Sequence, residues 1–417
     1  MTESRDVIVI GGGPAGTTAA TLAARAGLRV TLIEKKAFPR YQIGESLMPA
    51  CYWTFERLGV LDKLRRSNFV AKQSVQFYSK EGLPSAPYYF PEFDPHESSR
   101  TWQVERGAFD QMLLEHAAGE GVEILQPATV RDVHFEGTRA IGVRVDEPGA
   151  GEKDLLANVT IDASGQRALL ARKLRLRTLD RNLMNCSYFT RYRGAVRESG
   201  DDEGVTLLIS TEKAETWFWY LALPEDRVSV GVVGPLASLL RGRDRIPQTV
   251  FDEEIGGCPV VRDRLAGAQQ IMPVRVQRDF SYCSSQIAGD GWVLAGDSFG
   301  FLDPVYSSGV FLALRSGELA ADAATAACAT NDFSAATLGS HGADYVAGME
   351  ALRRMVYAFY AEDFNFASFV RAHPEQTDAL VHLLIGNVYR VPVGGLIAAI
   401  EEFSPLPSYE PFRLQER

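Results

Sequence analysis

The sequence predicts an α/β protein with a Rossmann-like nucleotide-binding domain, a mixed or antiparallel sheet on the substrate side and a C-terminal helical cap. Three observations support this fold class. A glycine-rich motif near residue 11 joins an apolar run to an alanine-rich helix. Two stretches, 71–99 and 183–274, are rich in the aromatic and β-branched residues that favour strands. After residue 331, apolar residues recur at steps of three and four, as an amphipathic helix requires.

The composition is ordinary for a globular protein and argues against two function classes. The net charge of -10 disfavours a nucleic-acid surface, which needs a basic face. No apolar run reaches the roughly 18 residues of a membrane span, and the N-terminus lacks the regions of a secretory signal. The five cysteines form no CxxC pair, and the six histidines lack metal-ligand spacing. We therefore expect a cytoplasmic protein with free thiols and no zinc or iron site.

The first motif is a dinucleotide site. Residues 6–10 (DVIVI) are typical of a buried parallel strand. Gly11, Gly13 and Gly16 follow at GxGxxG spacing; they permit a tight turn, a close approach of pyrophosphate and close packing of the helix, in that order. The N-terminus of that helix offers free N–H groups to phosphates. Glu34 ends the next strand, 18 residues after Gly16, where a ribose-binding carboxylate is expected. This site alone leaves FAD and NAD both open.

Three later segments resemble the FAD-binding aromatic-hydroxylase superfamily, which also contains geranylgeranyl reductases and flavin-dependent halogenases. Residues 291–304 (GWVLAGDSFGFLDP) are similar to its second flavin fingerprint, in which Asp297 would hold the ribityl chain. Residues 158–166 (NVTIDASGQ) resemble its short DG motif, and residues 103–124 resemble its arginine-bearing helix. The resemblance implies FAD as the cofactor and these cofactor-binding residues: Gly11, Gly13, Ala15, Gly16, Glu34, Lys35, Arg40, Glu45, Ser46, Arg106, Asp162, Asp297, Pro304 and Gly309.

The flavin motifs are scattered along the chain, so the FAD domain must be discontinuous. We assign to it residues 1–70, 100–182 and 275–330. Residues 71–99 and 183–274 are expected to form the substrate-side sheet. Residues 331–417 form the helical cap and an extended proline-rich tail.

Three further stretches resemble flavin-dependent halogenases in particular. Residues 39–49 (PRYQIGESLMP) are close to the GESLLP segment of that family. Residues 68–78 are similar to its FxxKxGxxF pattern, with Lys72 at the lysine and Ser74 where the family often has glycine. Residues 301–309 match its FxxPxxSxG pattern. The resemblance implies halogenation by reduced FAD, oxygen and chloride or bromide, through a flavin C4a-hydroperoxide and hypohalous acid.

The resemblance assigns the catalytic role to Lys72, which would relay hypohalous acid to the substrate. An ammonium supplies three donors, and burial would lower its pKa and make the amine more nucleophilic. A surface lysine is the ordinary alternative. Ser307, Ser308 and Gly309 are the expected halide site, a nest of backbone N–H groups beside the flavin. Related hydroxylases and reductases also bind the flavin ring at this loop without halide.

Trp217 and Trp219 resemble the WxWxIP barrier that separates flavin from substrate in halogenases, although Leu-Ala-Leu-Pro follows here. Two alternating tryptophans also face one side of a strand, so packing alone would explain them. Tyr306 stands where tryptophan halogenases have a glutamate, which favours an electron-rich phenol- or pyrrole-like substrate. Whether that substrate is free or tethered to a carrier protein stays open. The candidate substrate-side bases, by location only, are His96, Glu97 and Glu105.

Alternatives to the halogenase remain. A second GxGxxG fingerprint is missing, so a separate flavin reductase is expected as partner. An FAD-dependent aromatic hydroxylase, a geranylgeranyl-reductase-like enzyme and a non-catalytic flavin-binding protein are the other hypotheses. The aromatic stretch 356–369 is expected to be core, or to line a substrate cavity.

Overall fold

The computed structural model describes residues 5–213, 215–242, 245–361, 364–407 and 411–415. Two sheets dominate it, one with a parallel core and one larger and mostly antiparallel, with helices packed around both. The predicted α/β class with a Rossmann-like domain, a second sheet and a helical cap is confirmed.

The first sheet has a parallel core. Strand Arg5–Ile10 pairs in parallel with Val30–Ile33 on one side and with Gly151–Asp162 on the other. Its interior is buried on both faces, which is why an unbroken β-branched run suits it. The carboxyl ends of these strands meet at one edge, the usual place for a ligand. Within the described residues the sheet has eight strands: Ala288–Gly289, Trp292–Leu294, Gly151–Asp162, Arg5–Ile10, Val30–Ile33 and Glu123–Leu125 in order, with Thr129–Glu136 and Arg139–Glu147 as a hairpin beside Gly151–Asp162.

The second sheet joins stretches that are far apart in the chain. Strand Thr206–Ser210 pairs in parallel with Ser74–Tyr78, so residues from 71–99 and 183–274 share one sheet. In the described chain it has nine strands: Gly300–Phe301, Arg275–Ser284, Arg177–Arg193, Arg227–Pro235, Trp217–Leu223, Thr206–Ser210, Ser74–Tyr78 and Tyr88–Tyr89 in order, with Gln269–Gln270 beside Arg177–Arg193.

Two expected boundaries differ from the structure. The expected FAD-domain segment 100–182 ends inside strand Arg177–Arg193, which belongs to the second sheet. Residues 275–330 were assigned to the FAD domain, but strand Arg275–Ser284 pairs antiparallel with Arg177–Arg193 in the second sheet. The reason is that this strand carries the chain across the second sheet before it returns to the first sheet at Ala288–Gly289. The other domain boundaries stay a prediction. Two further short strands, Val70–Lys72 and Thr101–Gln103, pair antiparallel with each other and form a separate two-stranded sheet.

The C-terminal part is helical, as expected. Arg353 of helix Gly342–Tyr360 forms a buried ion pair with Asp180 at 2.8 Å, which ties the cap to the second sheet. The aromatic side chains Phe364 and Phe369 belong to the main hydrophobic core, in agreement with the core interpretation of 356–369; Glu362, Asp363 and tail residues 408–410 lie outside the described residues. None of the helices in the described ranges is both long and apolar enough to span a membrane. The α-helices are Pro14–Arg25, Cys51–Leu58, Leu61–Arg65, Phe90–Phe93, Arg106–Gly119, Leu169–Lys173, Leu236–Leu240, Pro247–Gly256, Pro259–Arg264, Ser308–Thr330, Ala335–Leu338, Gly342–Tyr360, Phe366–Ala372, Thr377–Ile385 and Gly394–Phe403.

Candidate functional site

A cavity of about 380 Å³ lies at the edge of the first sheet where its parallel strands end, with the second sheet as its opposite wall. Most of the predicted site residues meet there, although they come from six separate stretches of sequence. Four do not line it: Gly16, Lys72, Asp162 and Ser308. Those that do are Gly11, Gly13, Ala15, Glu34, Lys35, Arg40, Glu45, Ser46, Arg106, Trp217, Trp219, Asp297, Pro304, Ser307 and Gly309.

The glycine motif shapes one end of the cavity. Gly13 is the N-cap residue of helix Pro14–Arg25, and Pro14 is the first residue of the helix. No side chain caps the N–H groups of this helix end. A Cβ on Gly13 would meet nothing closer than 3.8 Å, so this position is open to a ligand. A Cβ on Gly16 would lie 1.9 Å from the carbonyl oxygen of Gly11. Gly16 therefore serves close helix packing, and Gly13 leaves room for a pyrophosphate.

The carboxylate of Glu34 lies next to the glycine turn. It is buried at the end of strand Val30–Ile33, and its Oε2 atom accepts a hydrogen bond from the N–H of Gly12 at 2.8 Å. Its Oε1 atom accepts from the N–H of Lys36 at 2.9 Å. These bonds hold the carboxylate beside the glycine turn, where a ribose would lie.

Arg106 and Asp297 both line the cavity. Asp110 pairs with Arg106 at 2.9 Å and with Arg40 at 2.7 Å, which fixes both guanidinium groups. Arg106 also donates to the carbonyl of Ile43 at 2.6 Å. Burial raises the pKa of Asp297 to about 6, although the charge of Arg106 opposes this rise. A hydroxyl-rich ribityl chain in the cavity would give this half-buried carboxyl hydrogen-bond partners.

Two expected contacts are absent from the cavity wall. The carboxylate of Asp162 is buried and accepts hydrogen bonds from the N–H groups of Ser164 and Leu170, at 3.0 and 2.7 Å. It therefore shapes the turn that presents residues 163–167 to the cavity, instead of facing the cavity itself. Ser308 is buried at the first position of helix Ser308–Thr330, with Ser307 before it in a left-handed conformation (φ 59°). Only Ser307 and Gly309 of the expected halide site line the cavity.

Lys72 is deeply buried just behind the cavity wall. Its side chain is about 4% exposed, and its Nζ atom donates to Ser46 Oγ at 2.8 Å and to the carbonyl of Leu47 at 3.0 Å. The ring of Phe90 lies 5.9 Å from Nζ. Burial lowers the pKa of Lys72 to about 7, so a large fraction of the amine is neutral near neutral pH. The ordinary surface-lysine interpretation is thereby excluded.

The two tryptophans form part of the wall towards the second sheet. Trp217 Nε1 donates to Tyr360 Oη of the cap at 2.8 Å, and Trp219 Nε1 donates to Ser229 Oγ at 3.2 Å. Trp219 lies over Gly231 on the neighbouring strand, where a Cβ would be 2.3 Å from the indole ring. Trp217 is thus held against the cap, and Trp219 against the neighbouring strand of the second sheet.

Asp303 connects the loop before Gly309 to the rest of the site, and sequence reasoning missed it. It is buried, and it accepts hydrogen bonds from Asn185 Nδ2 at 2.8 Å, from the N–H of Val305 at 3.0 Å and from Tyr360 Oη at 3.2 Å. Burial raises its pKa to about 6. In the sequence, the only indication of this role is a carboxylate within the otherwise apolar segment 301–304 (FLDP).

A charge cluster adjoins the cavity at Glu45, and sequence reasoning missed its two arginines. Arg191, in the second sheet, pairs with Glu45 and with Glu105, the latter at 2.7 Å. Arg227 pairs with Glu105 at 3.1 Å. Glu45 is fully buried, and burial raises its pKa while Arg191 opposes that effect. An arginine in the apolar strand SYFTRYR was the available signal.

The candidate substrate-side bases are all engaged elsewhere. His96 stacks on Trp53, with ring centroids 5.3 Å apart, and Glu97 pairs with Arg65 at 3.1 Å. Glu105 belongs to the cluster with Arg191, so none of the three lines the cavity. Tyr306 is buried and donates from its hydroxyl to the carbonyl of Met355 at 3.1 Å.

The comparisons with known proteins agree with this geometry. A family model described as FAD dependent oxidoreductase matches residues 6–173, and one described as tryptophan halogenase matches residues 92–382. A 1H-pyrrole-2-carbonyl-[peptidyl-carrier protein] chlorinase of Pseudomonas fluorescens is 31% identical over 92% of this chain and 89% of its own length. The corresponding brominase of Pseudoalteromonas luteoviolacea is 33% identical over 79% of this chain and 80% of its own. The structure of the flavin-dependent brominase Bmp2 aligns with a TM-score of 0.87 and 27% identity, over 96% of this chain and 99% of that one.

Proposed function

Because the chain belongs to the family of flavin-dependent halogenases, we propose that it halogenates a pyrrole-like ring carried by a peptidyl carrier protein, and that Lys72 relays hypohalous acid to that ring. Its cofactors are FAD and a halide ion, chloride or bromide. The cavity fits FAD: an open glycine turn for the pyrophosphate, Glu34 for the ribose and Asp297 for the ribityl chain.

The observation that carries the proposal is the environment of Lys72. A lysine that is 4% exposed and bonded to a cavity-lining serine has no use as a surface charge. Its lowered pKa makes a neutral, nucleophilic amine available near pH 7. When bound, reduced FAD supplies, with oxygen and halide, the hypohalous acid that the reaction consumes. The neutral amine of Lys72 takes the halogen from that acid and presents it to the ring.

The other residues position the reactants. Ser307 and Gly309 line the cavity in the loop where we expect the halide. The N–H of Ser307 is bonded to the carbonyl of Pro304 at 3.0 Å, so the donors for an anion would be the N–H groups of Ser308 and Gly309 in the first turn of helix Ser308–Thr330. Trp217 and Trp219 form a wall of fixed indole rings that keeps the substrate away from the flavin. Ser308 is proposed to act through its backbone alone, because its side chain is buried outside the cavity.

The substrate class rests on the relatives and on one side chain. The two pyrrole-2-carbonyl carrier-protein halogenases are similar over most of their lengths. Buried Tyr306 stands where a tryptophan-type enzyme would have a carboxylate, and its hydroxyl is bonded to a carbonyl. An electron-rich pyrrole needs less help to lose its proton than an indole benzene ring does. Reduced FAD is proposed to come from a separate flavin reductase.

The experiment that tests the proposal is mass spectrometry of products. The protein is incubated with FAD, a flavin reductase, NADH, oxygen and bromide, and with pyrrole-2-carbonyl thioester on a carrier protein, free pyrrole-2-carboxylate or simple phenols. We expect the bromine isotope pair on the carrier-bound pyrrole. Lys72→Ala should lose this product and keep FAD, and Lys80→Ala, at an exposed lysine nearby, should keep both.

Three outcomes would contradict parts of the proposal. Bromination of free phenols alone would replace the substrate class. A product heavier by one oxygen and free of bromine would contradict halogenation of this ring. Full bromination by Lys72→Ala would remove Lys72 from the reaction.

A further inference from the structure

Two hydroxyl groups of the cavity wall are hydrogen-bonded, through Ser46, to Lys72. Ser46 Oγ and Thr206 Oγ1 lie 3.2 Å apart and are buried, and both residues line the cavity. Lys72 Nζ donates to Ser46 Oγ at 2.8 Å, although Lys72 itself is not one of the lining residues. Gln103 Nε2 donates to Thr206 Oγ1 at 2.9 Å and to the carbonyl of Gly204 at 3.0 Å. We call Ser46 and Thr206 the hydroxyl pair.

The hydroxyl pair has one proton that its hydrogen bonds within the described residues do not use. Each hydroxyl carries one proton and two lone pairs. Ser46 accepts from Lys72, Thr206 accepts from Gln103, and one proton joins the two hydroxyls to each other. Among the described residues, the second hydroxyl proton has no acceptor besides this pair. Since a buried donor is costly to leave unpaired, it points to an acceptor that occupies the cavity.

The same count applied to Lys72 favours the neutral amine. The described chain offers its Nζ atom two acceptors, Ser46 Oγ and the carbonyl of Leu47. A neutral amine has two protons and one lone pair, so both protons are bonded and the lone pair is free. An ammonium would bury a third proton without an oxygen acceptor. The site is therefore suited to a nucleophilic amine, one of whose two protons is already bonded to Ser46.

We propose that the hydroxyl pair binds hypohalous acid at the cavity wall and serves as the proton path between Lys72 and the departing oxygen. Ser46 and Thr206 are thus further residues of the reaction, and this role rests on the proposed function of Lys72. Thr206 would contact the oxidant directly, and Ser46 would both hold the amine and receive its proton.

The step balances in atoms and charge. The lone pair of Lys72 Nζ forms a bond to the halogen, and the bond between halogen and oxygen breaks. The departing oxygen takes the proton of Thr206, Thr206 takes that of Ser46, and Ser46 takes one from Lys72. The amine and hypohalous acid thereby give a lysine haloamine and water. The aromatic ring then takes the halogen and releases its own proton, which returns the amine.

The first test uses the FAD-free protein and a small electrophile. Isocyanic acid, formed from cyanate, adds to neutral amines and also requires a proton to leave the nitrogen. We would measure carbamoylation of Lys72 by peptide mass spectrometry, with exposed Lys80 as internal reference. Thr206→Val should slow reaction at Lys72 at least tenfold without moving the pH midpoint of its rate, and Thr206→Ser should restore it. Equal rates at Lys72 in wild type and Thr206→Val would overturn the proton path.

The second test uses the holoenzyme without an aromatic substrate. The protein turns over with FAD, a flavin reductase, NADH, oxygen and bromide, and is then desalted. Oxidising equivalents retained on the protein are titrated with a thiol, and released hypobromous acid is trapped with monochlorodimedone. We expect Thr206→Val and Ser46→Ala to retain at least tenfold less than wild type and to release correspondingly more, with Thr206→Ser close to wild type.

The outcomes separate this inference from the proposed function. If Lys72→Met retains as much as wild type, or wild type retains none, the lysine relay itself fails and this inference falls with it. If Lys72→Met retains none and both hydroxyl variants behave as wild type, the relay stands and the role of the hydroxyl pair is overturned.

Discussion

Lys72 is an ionisable group in a buried position, and its replacement by methionine should stabilise the fold while it abolishes halogenation. Methionine has a similar length and no charge, so it fills the same space without desolvating an amine. In the unfolded chain the lysine has its ordinary pKa of 10.5, whereas burial in the fold lowers it to about 7. Folding at neutral pH therefore removes part of a proton from this group, and that removal costs free energy.

The magnitude follows from the two pKa values. One pKa unit corresponds to about 1.36 kcal/mol, so burial of Lys72 costs about 4 kcal/mol at pH 7 and about 2 kcal/mol at pH 9. Because the pKa of Lys72 is lowered in the fold, burial costs nothing above pH 10.5, and the cost grows as the pH falls towards 7. Methionine removes this dependence but also removes the bonds to Ser46 and Leu47, worth about 1–3 kcal/mol together. That loss is similar at both pH values, so the difference between them isolates the charge effect.

The assay is urea unfolding of wild type and Lys72→Met at pH 7 and pH 9. We expect the free energy of unfolding of the variant, relative to wild type, to be higher at pH 7 than at pH 9 by about 2 kcal/mol. Lys80→Met, at an exposed position, is the matched control and should show no such difference. The same relative stability of Lys72→Met at both pH values would refute the claim that Lys72 is buried with a lowered pKa.

Three other predictions follow from the site. Gly16→Ala should lower both the Tm and FAD retention, because its Cβ would lie 1.9 Å from the carbonyl oxygen of Gly11. Gly13→Val should leave the Tm of the FAD-free protein unchanged and weaken FAD binding, as measured by dialysis. Normal FAD retention by Gly13→Val would show that the pyrophosphate does not bind at Gly13. The pKa of Asp303 is raised to about 6, so its contribution to stability is fully present below pH 3.8 and is lost as the pH rises through 6. The free energy of unfolding of Asp303→Asn, minus that of wild type, should therefore increase by about 2 kcal/mol between pH 4.5 and pH 7 in urea titrations. The same difference at both pH values would contradict this. Trp217→Phe should lower the free energy of unfolding by about 1 kcal/mol and speed hydrogen exchange in helix Gly342–Tyr360, because Tyr360 Oη loses the hydrogen bond that Trp217 donates. Unaltered exchange would show that this bond does not hold the cap.

Local motifs made the nucleotide site predictable. The turn at Gly11, the packing at Gly16 and the position of Glu34 each depend on a short stretch of chain, so spacing was enough to place them. Lys72 was identified by resemblance to a motif. Its burial and its bond to Ser46 depend on how residues 46–47 pass behind strand Val70–Lys72, which spacing does not report.

Contacts between distant segments account for what was missed. Thr206 reaches the cavity because strand Thr206–Ser210 pairs in parallel with Ser74–Tyr78, and this register is set by packing of the whole sheet. Asp303 meets the cap through Tyr360 for the same reason. Asp162 was expected at the cofactor because its motif suggested it. The backbone N–H groups of the following turn bind its carboxylate first, which local sequence cannot distinguish.

The chain of hydrogen bonds from Trp217 through Tyr360 to Asp303 joins the barrier strand, the cap and the loop beside the cavity. During synthesis, residues 217 and 303 emerge well before residue 360, so the wall and the loop exist before their common partner. A chain released before the cap would lack the hydrogen bonds that Tyr360 makes with Trp217 and Asp303. For engineering, the cap is therefore not a freely exchangeable module: a chimera that takes its cap from a relative must bring a hydroxyl to the position of Tyr360, or it will lose the link that keeps barrier and loop in register.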